Sequence, residues 1–168
     1  TNSIERWWHS IMDLGDALTR DIMRVSGVLN DPVSGLPGRA EFFQTVEEEL
    51  KASHGKSSTS IVTFSPDNFA TVNELYGLKV GDQVIRQAAQ LLQDQLRRND
   101  YVVRYGGVVF AALLPNTDAE AATQLSSQAR NELEKADYLN GEVRLRFSAG
   151  VTSHGADNPL SASATLEL

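Results

Sequence analysis

Arg104-Tyr105-Gly106-Gly107-Val108-Val109-Phe110 is the stretch on which the fold turns. Two adjacent glycines separate a β-branched and aromatic run, Tyr101 to Tyr105, from a second apolar run, Val108 to Leu114. A two-residue Gly-Gly loop supplies the positive φ angles of a type I′ or II′ turn, so the stretch predicts a β-hairpin with its tip at Gly106-Gly107. Val108 and Val109 carry no functional group, so any chemistry must come from the residues around the tip.

Upstream of the hairpin, Gly81-Asp82 opens a predicted amphipathic helix with Val84, Ile85, Ala88, Leu91, Leu92 and Leu96 on one face. Phe69 to Tyr76 has helical spacing and stops at Gly77, Thr59 to Phe64 reads as a short strand, and Arg39 to Lys51 as a helix burying Ala40, Phe43, Val46 and Leu50 beside Phe42. Downstream, Thr117 with Glu120 has the form of a capping box for a helix to about Ala136. Val143 to Phe147 alternates as a strand and leads into Ser148-Ala149-Gly150-Val151; no clear pattern follows Ser153. Helices separating strands, with one hairpin inserted, predict an α/β (α+β) domain: a central mixed sheet surrounded by helices.

Residues 3 to 29 read as one long helix preceding that domain. Ile4, Trp8, Ile11, Leu18, Ile22, Val25 and Leu29 follow a heptad seam interrupted at Gly15. The seam fits self-pairing into a homodimer, and fits equally a helix packed on its own or an upstream domain. The breaker-rich run Asn30 to Gly38 divides the chain into a helix, 1–29, and a globular part, 30–168.

The 168 residues suffice for one domain with a core and an appendage. No apolar run is long enough to cross a bilayer, and no signal peptide is recognisable. With no cysteine there are no disulfides or thiolate metal sites, which suits a reducing cytoplasm. His9, His54 and His154 lack metal-ligand spacing. A net charge of −7 argues against a nucleic-acid polymer as partner, but not against a small anionic ligand.

Four segments then line up in order. Asp31-Pro-Val-Ser-Gly-Leu-Pro-Gly-Arg39 resembles the Asp-x-Leu-Thr-Gly-Leu-x-Asn-Arg opening of the GGDEF family, the diguanylate cyclases. Asp67-Asn-Phe69-Ala-Thr-Val-Asn73-Glu-Leu-Tyr-Gly77-Leu-Lys-Val-Gly81-Asp82 resembles its Asp-x-Phe-Lys-x-x-Asn-Asp-x-x-Gly-His-x-x-Gly-Asp segment. Arg97-Arg-Asn-Asp100 stands where the family keeps an Arg-x-x-Asp inhibitory site, and the Gly106-Gly107-Val108-Val109-Phe110 run takes the place of its signature. The resemblance covers Asp31 to about Val151. It implies a nucleotide-cyclase, palm-like fold with the hairpin tip at an active site that condenses two GTP into cyclic di-GMP across a dimer.

The resemblance also marks what is missing. The family's metal-binding acids fall at Ser65 and Val108, its second signature acid at Val109, and its phosphate-contacting lysine at Ala70. Magnesium needs hard oxygen ligands, chiefly carboxylates, and is expected as a cofactor only of an active enzyme. Asp67 is the one carboxylate left in the first-strand pair, and no catalytic residue is assigned. Asn73 and Asp82 match the family's guanine-contacting positions; they also read as a loop brace and a helix N-cap. Arg97 and Asp100 match its cyclic di-GMP inhibitory site, with Arg98 nearby. An arginine at a helix C-terminus before an Asn-Asp turn reads equally as a structural element.

Three functions are expected from this pattern. One is a cyclic di-GMP, or GTP, receptor without cyclase activity. Another is a ligand-free dimerisation or interaction module acting on a linked sensor or phosphodiesterase domain, and the third an active diguanylate cyclase. The family's final helix is not recognisable after Val151; Leu160 to Leu168 reads either as its beginning or, at Leu166-Glu167, as a scar of expression.

Overall fold

A computed structural model describes residues 30–53, 56–155 and 158–162. The expected helix over residues 3 to 29 lies outside the described residues. In chain order the elements are α1 (Arg39–Ser53), β1 (Thr59–Pro66), α2 (Phe69–Tyr76), α3 (Leu78–Gln95), β2 (Tyr101–Gly106), β3 (Val109–Leu114), α4 (Ala119–Lys135), β4 (Phe147–Gly155) and β5 (Asn158–Ala162).

The strands form one sheet in the order β2-β3-β1-β4-β5, and every neighbouring pair is antiparallel. The expected mixed sheet is therefore corrected. Helical connections from β1 to β2 and from β3 to β4 do join strands of the same direction, but a third strand lies between each pair. The hairpin places β3 between β1 and β2, and β1 lies between β3 and β4, a split β-α-β arrangement.

Strand alternation sorts the core into two layers. Val62, Phe64, Phe110, Ala112 and Leu114 face α3 and α4, where Val84, Ala88, Leu92, Ala122, Ala129 and Leu133 meet them. On the other face Ile61, Val103, Ala111 and Leu113 meet Phe42 and Val46 of α1. With β3 covered on both faces, its run from Phe110 to Leu114 is apolar throughout, as a strand buried on two sides requires. Tyr138, fully buried, closes the end of α4 by donating from its hydroxyl to the Leu133 carbonyl at 2.7 Å.

Several local expectations shift. The hairpin turn lies at Gly107-Val108, because Gly106 pairs with Val109 and a bulge falls between Arg104 and Gly106. Phe110 must stay opposite Phe64, and the extra residue, Tyr105, packs edge-on against Phe42 and Phe43. Only Gly107 of the glycine pair has a positive φ, at 54°. Helix α3 starts at Leu78 rather than Gly81, since Gly77, at φ 88°, both ends α2 and starts α3. Asp82 thus lies inside the helix and is not its N-cap. The cap of α4 is Asp118, whose side chain accepts from Ala121 N–H, and not Thr117, whose hydroxyl is engaged elsewhere. Strand β4 begins at Phe147: Val143 and Leu145 are buried in alternation, but β1 ends at Pro66, opposite Phe147, and leaves residues 144–146 without a ladder partner.

Candidate functional site

The end of β1 and the hairpin tip come together because Phe64 pairs with Phe110, so Ser65 and Val109 are the next residues of their strands. Val108 is half-buried against the larger core layer. Arg104 holds the tip from below. Its Nε donates to the Gly107 carbonyl at 2.8 Å and its Nη1 to Asp31 Oδ2 at 2.9 Å. Asp31 also accepts from Ser34 N–H and the Ser34 hydroxyl, both at 2.7 Å. Burial pushes the Asp31 carboxyl up, but the Ser34 N–H, the Ser34 hydroxyl and Arg104 outweigh it and hold the group below its ordinary 3.8.

Asp67 is engaged by β4, on the opposite edge of β1 from the hairpin. Its Oδ1 accepts from Ser148 Oγ at 2.8 Å, and it lines a small cavity with Glu134, Arg146, Phe147 and Ser148. The resemblance implies a magnesium ion at this end of the sheet, and the donors there are few. Ser65 offers a neutral hydroxyl, Val108 and Val109 offer no oxygen beyond the backbone, and Asp67 already accepts from Ser148. Among the described residues no group of three or more His, Asp or Glu side chains is placed to hold a metal ion. The donors do not fit a magnesium ion charged with neutralising a triphosphate.

The α2–α3 corner brings Asn73 to Gly81. A Cβ at Gly81 would lie 1.9 Å from Asn73 Oδ1, so the carboxamide rests directly on the Gly81 backbone, one residue from the exposed Asp82. Leu75 and Leu78 lie on the same corner, 70% and 73% exposed.

Arg97 and Asp100 are brought together at the turn between α3 and β2. Asp100 Oδ2 accepts from Arg97 N–H at 2.8 Å and from Arg97 Nε at 3.1 Å, while Oδ1 accepts from Nη2 at 2.9 Å. The Asp100 side chain is 1% exposed and that of Arg97 49%. Hydrogen bonding to Asp100 raises the Arg97 pKa further, against the opposing effect of burial. Arg97 Nη2 also donates to Thr117 Oγ1.

Sequence reasoning missed two partners. Asp31 and Arg104 lie far apart in the chain, and an arginine inside an apolar strand was the available signal. Thr117 matched a helix cap, and nothing in its neighbours announced a contact with Arg97.

Residues 28–166 match the family described as "Diguanylate cyclase, GGDEF domain". The chain is 33% identical over 128 residues to diguanylate cyclase DgcP of Pseudomonas aeruginosa, covering 74% of this chain and 19% of that protein. It is 31% identical over 126 residues to diguanylate cyclase DgcM of Escherichia coli, covering 74% of this chain and 30% of that protein. It therefore spans a fifth to under a third of the length of these relatives. Among solved structures, diguanylate cyclase SiaD of Pseudomonas aeruginosa, in complex with its activator SiaC, superposes with a TM-score of 0.69 at 29% identity, covering 91% of this chain and 58% of that one.

Proposed function

The chain belongs to the GGDEF family of diguanylate cyclase domains, and from that premise we propose that it is a cyclic di-GMP signalling domain that has lost cyclase activity and serves as a receptor through Arg97 and Asp100. The observation that carries this reading is a contrast within one chain. Ser65, Val108 and Val109 stand where the catalytic acids belong, while Arg97-Arg-Asn-Asp100 keeps its register before the hairpin. Phosphoryl transfer between two triphosphates needs metal-borne positive charge, and the residues at the tip do not supply its ligands. Recognition of a guanine needs only directed donors and acceptors, which an arginine and an aspartate provide. Asn73 and Asp82 offer a second guanine-binding set, for GTP, without the lysine that would meet its phosphates.

Calorimetric titration of the purified chain with cyclic di-GMP tests the receptor reading. Saturable heat that disappears in Arg97→Ala is expected; absence of heat to high micromolar ligand, or unchanged binding in Arg97→Ala, rejects it. Incubation with GTP and magnesium or manganese, followed by chromatography, is expected to yield no cyclic di-GMP.

One observation favours a second reading, an interaction module without its own ligand. Asp100 is enclosed and both of its oxygens are taken by Arg97, as in a turn that serves structure alone. In that case the heptad seam of residues 3 to 29 carries the function as a homodimer contact. Light scattering with and without residues 1–29 decides this, since a monomer in both forms excludes it.

A further inference from the structure

Arg97 presents two hydrogen-bonding edges, and the structure occupies both unequally. Its side-on edge, Nε with Nη2, is filled by the two oxygens of Asp100. Its end-on edge, Nη1 with Nη2, is half-filled: Nη2 donates to Thr117 Oγ1, whereas Nη1 donates no hydrogen bond among the described residues. Guanine O6 and N7 accept a matched pair of donors, so neither edge is complete for a base in this arrangement.

Which edge opens follows from burial. Displacing Asp100 would strip a carboxylate with 1% side-chain exposure of its guanidinium, which is costly. Releasing Thr117 breaks one hydrogen bond to a neutral hydroxyl, and frees the end-on edge while Asp100 still orients the arginine. Thr117 is a fixed acceptor. Its hydroxyl hydrogen is committed to the Pro115 carbonyl at 2.8 Å, leaving a lone pair for Arg97. Its backbone is tied to the start of β1 and the residue before it, with Thr117 N–H donating to the Ser58 carbonyl at 2.9 Å and Ser60 Oγ donating to the Thr117 carbonyl at 2.7 Å.

We propose that Thr117 is a latch on Arg97, competing with a guanine base for the end-on edge of the guanidinium and so setting the ligand concentration to which the site responds. The latch rests on the receptor reading of Arg97 and Asp100, but its test separates the two. Thr117→Val keeps the β-branched shape of a residue only 2% exposed, and leaves both backbone bonds in place. Thr117→Ser keeps the hydroxyl. Titration of the full chain with cyclic di-GMP is expected to give about fivefold tighter binding in Thr117→Val, the cost of one competing hydrogen bond, and near-parental affinity in Thr117→Ser. Equal or weaker binding in Thr117→Val, with binding still lost in Arg97→Ala, overturns the latch and leaves the receptor standing.

A second measurement needs no ligand. Nitrogen-15 relaxation of the Arg97 guanidinium is expected to show faster rotation of its Nη groups in Thr117→Val than in the parent. Unchanged rotation overturns the latch. Faster rotation in a protein that binds no cyclic di-GMP upholds the contact, but overturns both the receptor and the latch's role in it.

Discussion

The carboxylate of Asp31 joins three segments: its own turn through Ser34, the hairpin strand through Arg104, and through Arg104 the Gly107 carbonyl at the tip. Asp31→Asn retains the shape but loses the charge and one full acceptor. It is expected to cost about 1–3 kcal/mol, as for a hydrogen-bonded charged group, measured by urea unfolding. The pH dependence has a definite sign. A carboxyl held below 3.8 when folded contributes stability that is present above the unfolded value and lost as pH falls through the folded one. Between neutral pH and about pH 5 Asp31 should therefore contribute a constant amount. Below pH 4 the parent should lose stability more steeply than Asp31→Asn, so acid titrations of the two should converge. Parallel acid limbs would show that Asp31 is not the group responsible.

At the scale of elements, the α2–α3 corner depends on one close approach. Gly81 lies inside a helix, where alanine is ordinarily better by about 1 kcal/mol. Here its Cβ would overlap Asn73 Oδ1 and lie 3.1 Å from Asn73 Cγ, so the carboxamide must rotate away. Gly81→Ala is expected to move the Asn73 side-chain amide resonances and to gain less than the usual helical benefit of about 1 kcal/mol, because the carboxamide, the far end of a flexible side chain, must turn aside. In an Asn73→Ala background the same change should be neutral or stabilising by up to about 1 kcal/mol. A thermal-melt double-mutant cycle with no coupling would contradict the contact. The hairpin shows the opposite economy. Val108 packs against the core, so placing a carboxylate there alone would set a charge beside apolar contacts.

For the whole molecule, the central position of β1 and β3 concentrates stability in the sheet. Phe110 is 1% exposed, stands opposite Phe64 and belongs to the layer under α3 and α4. Phe110→Ala is expected to cost about 3–5 kcal/mol, much of the margin of a typical domain, and to lower the melting temperature cooperatively. A loss below about 1 kcal/mol would mean that the layer is not packed as described. Substitution of the exposed Leu75 should have little effect on the same measurement.

Much of this organisation was legible locally. The helices over residues 39–53 and 69–76, the strand from Thr59 and the hairpin follow from apolar period and from breakers such as Gly77. The positions of Ser65, Val108 and Val109 follow from motif spacing, and so does the nearness of Arg97 to Asp100, three residues apart across a turn; that the two bond to each other is a finding of the structure. Local signals did not reach what depends on distant partners. Periodicity gave no sign that β3 lies between β1 and β2, because antiparallel and parallel neighbours bury the same residues. The turn slipped one residue from the glycine pair because Phe110 had to meet Phe64 and Tyr105 had to meet Phe42 and Phe43. Thr117 fitted a helix cap by sequence, but tertiary packing directs its hydroxyl to Arg97 and Pro115 and leaves the cap to Asp118. The sequence alone determined which side chains are available for chemistry, since composition and spacing are properties of the chain. Only the tertiary structure decided which of those side chains are already engaged, because hydrogen-bond partners are chosen by proximity in space.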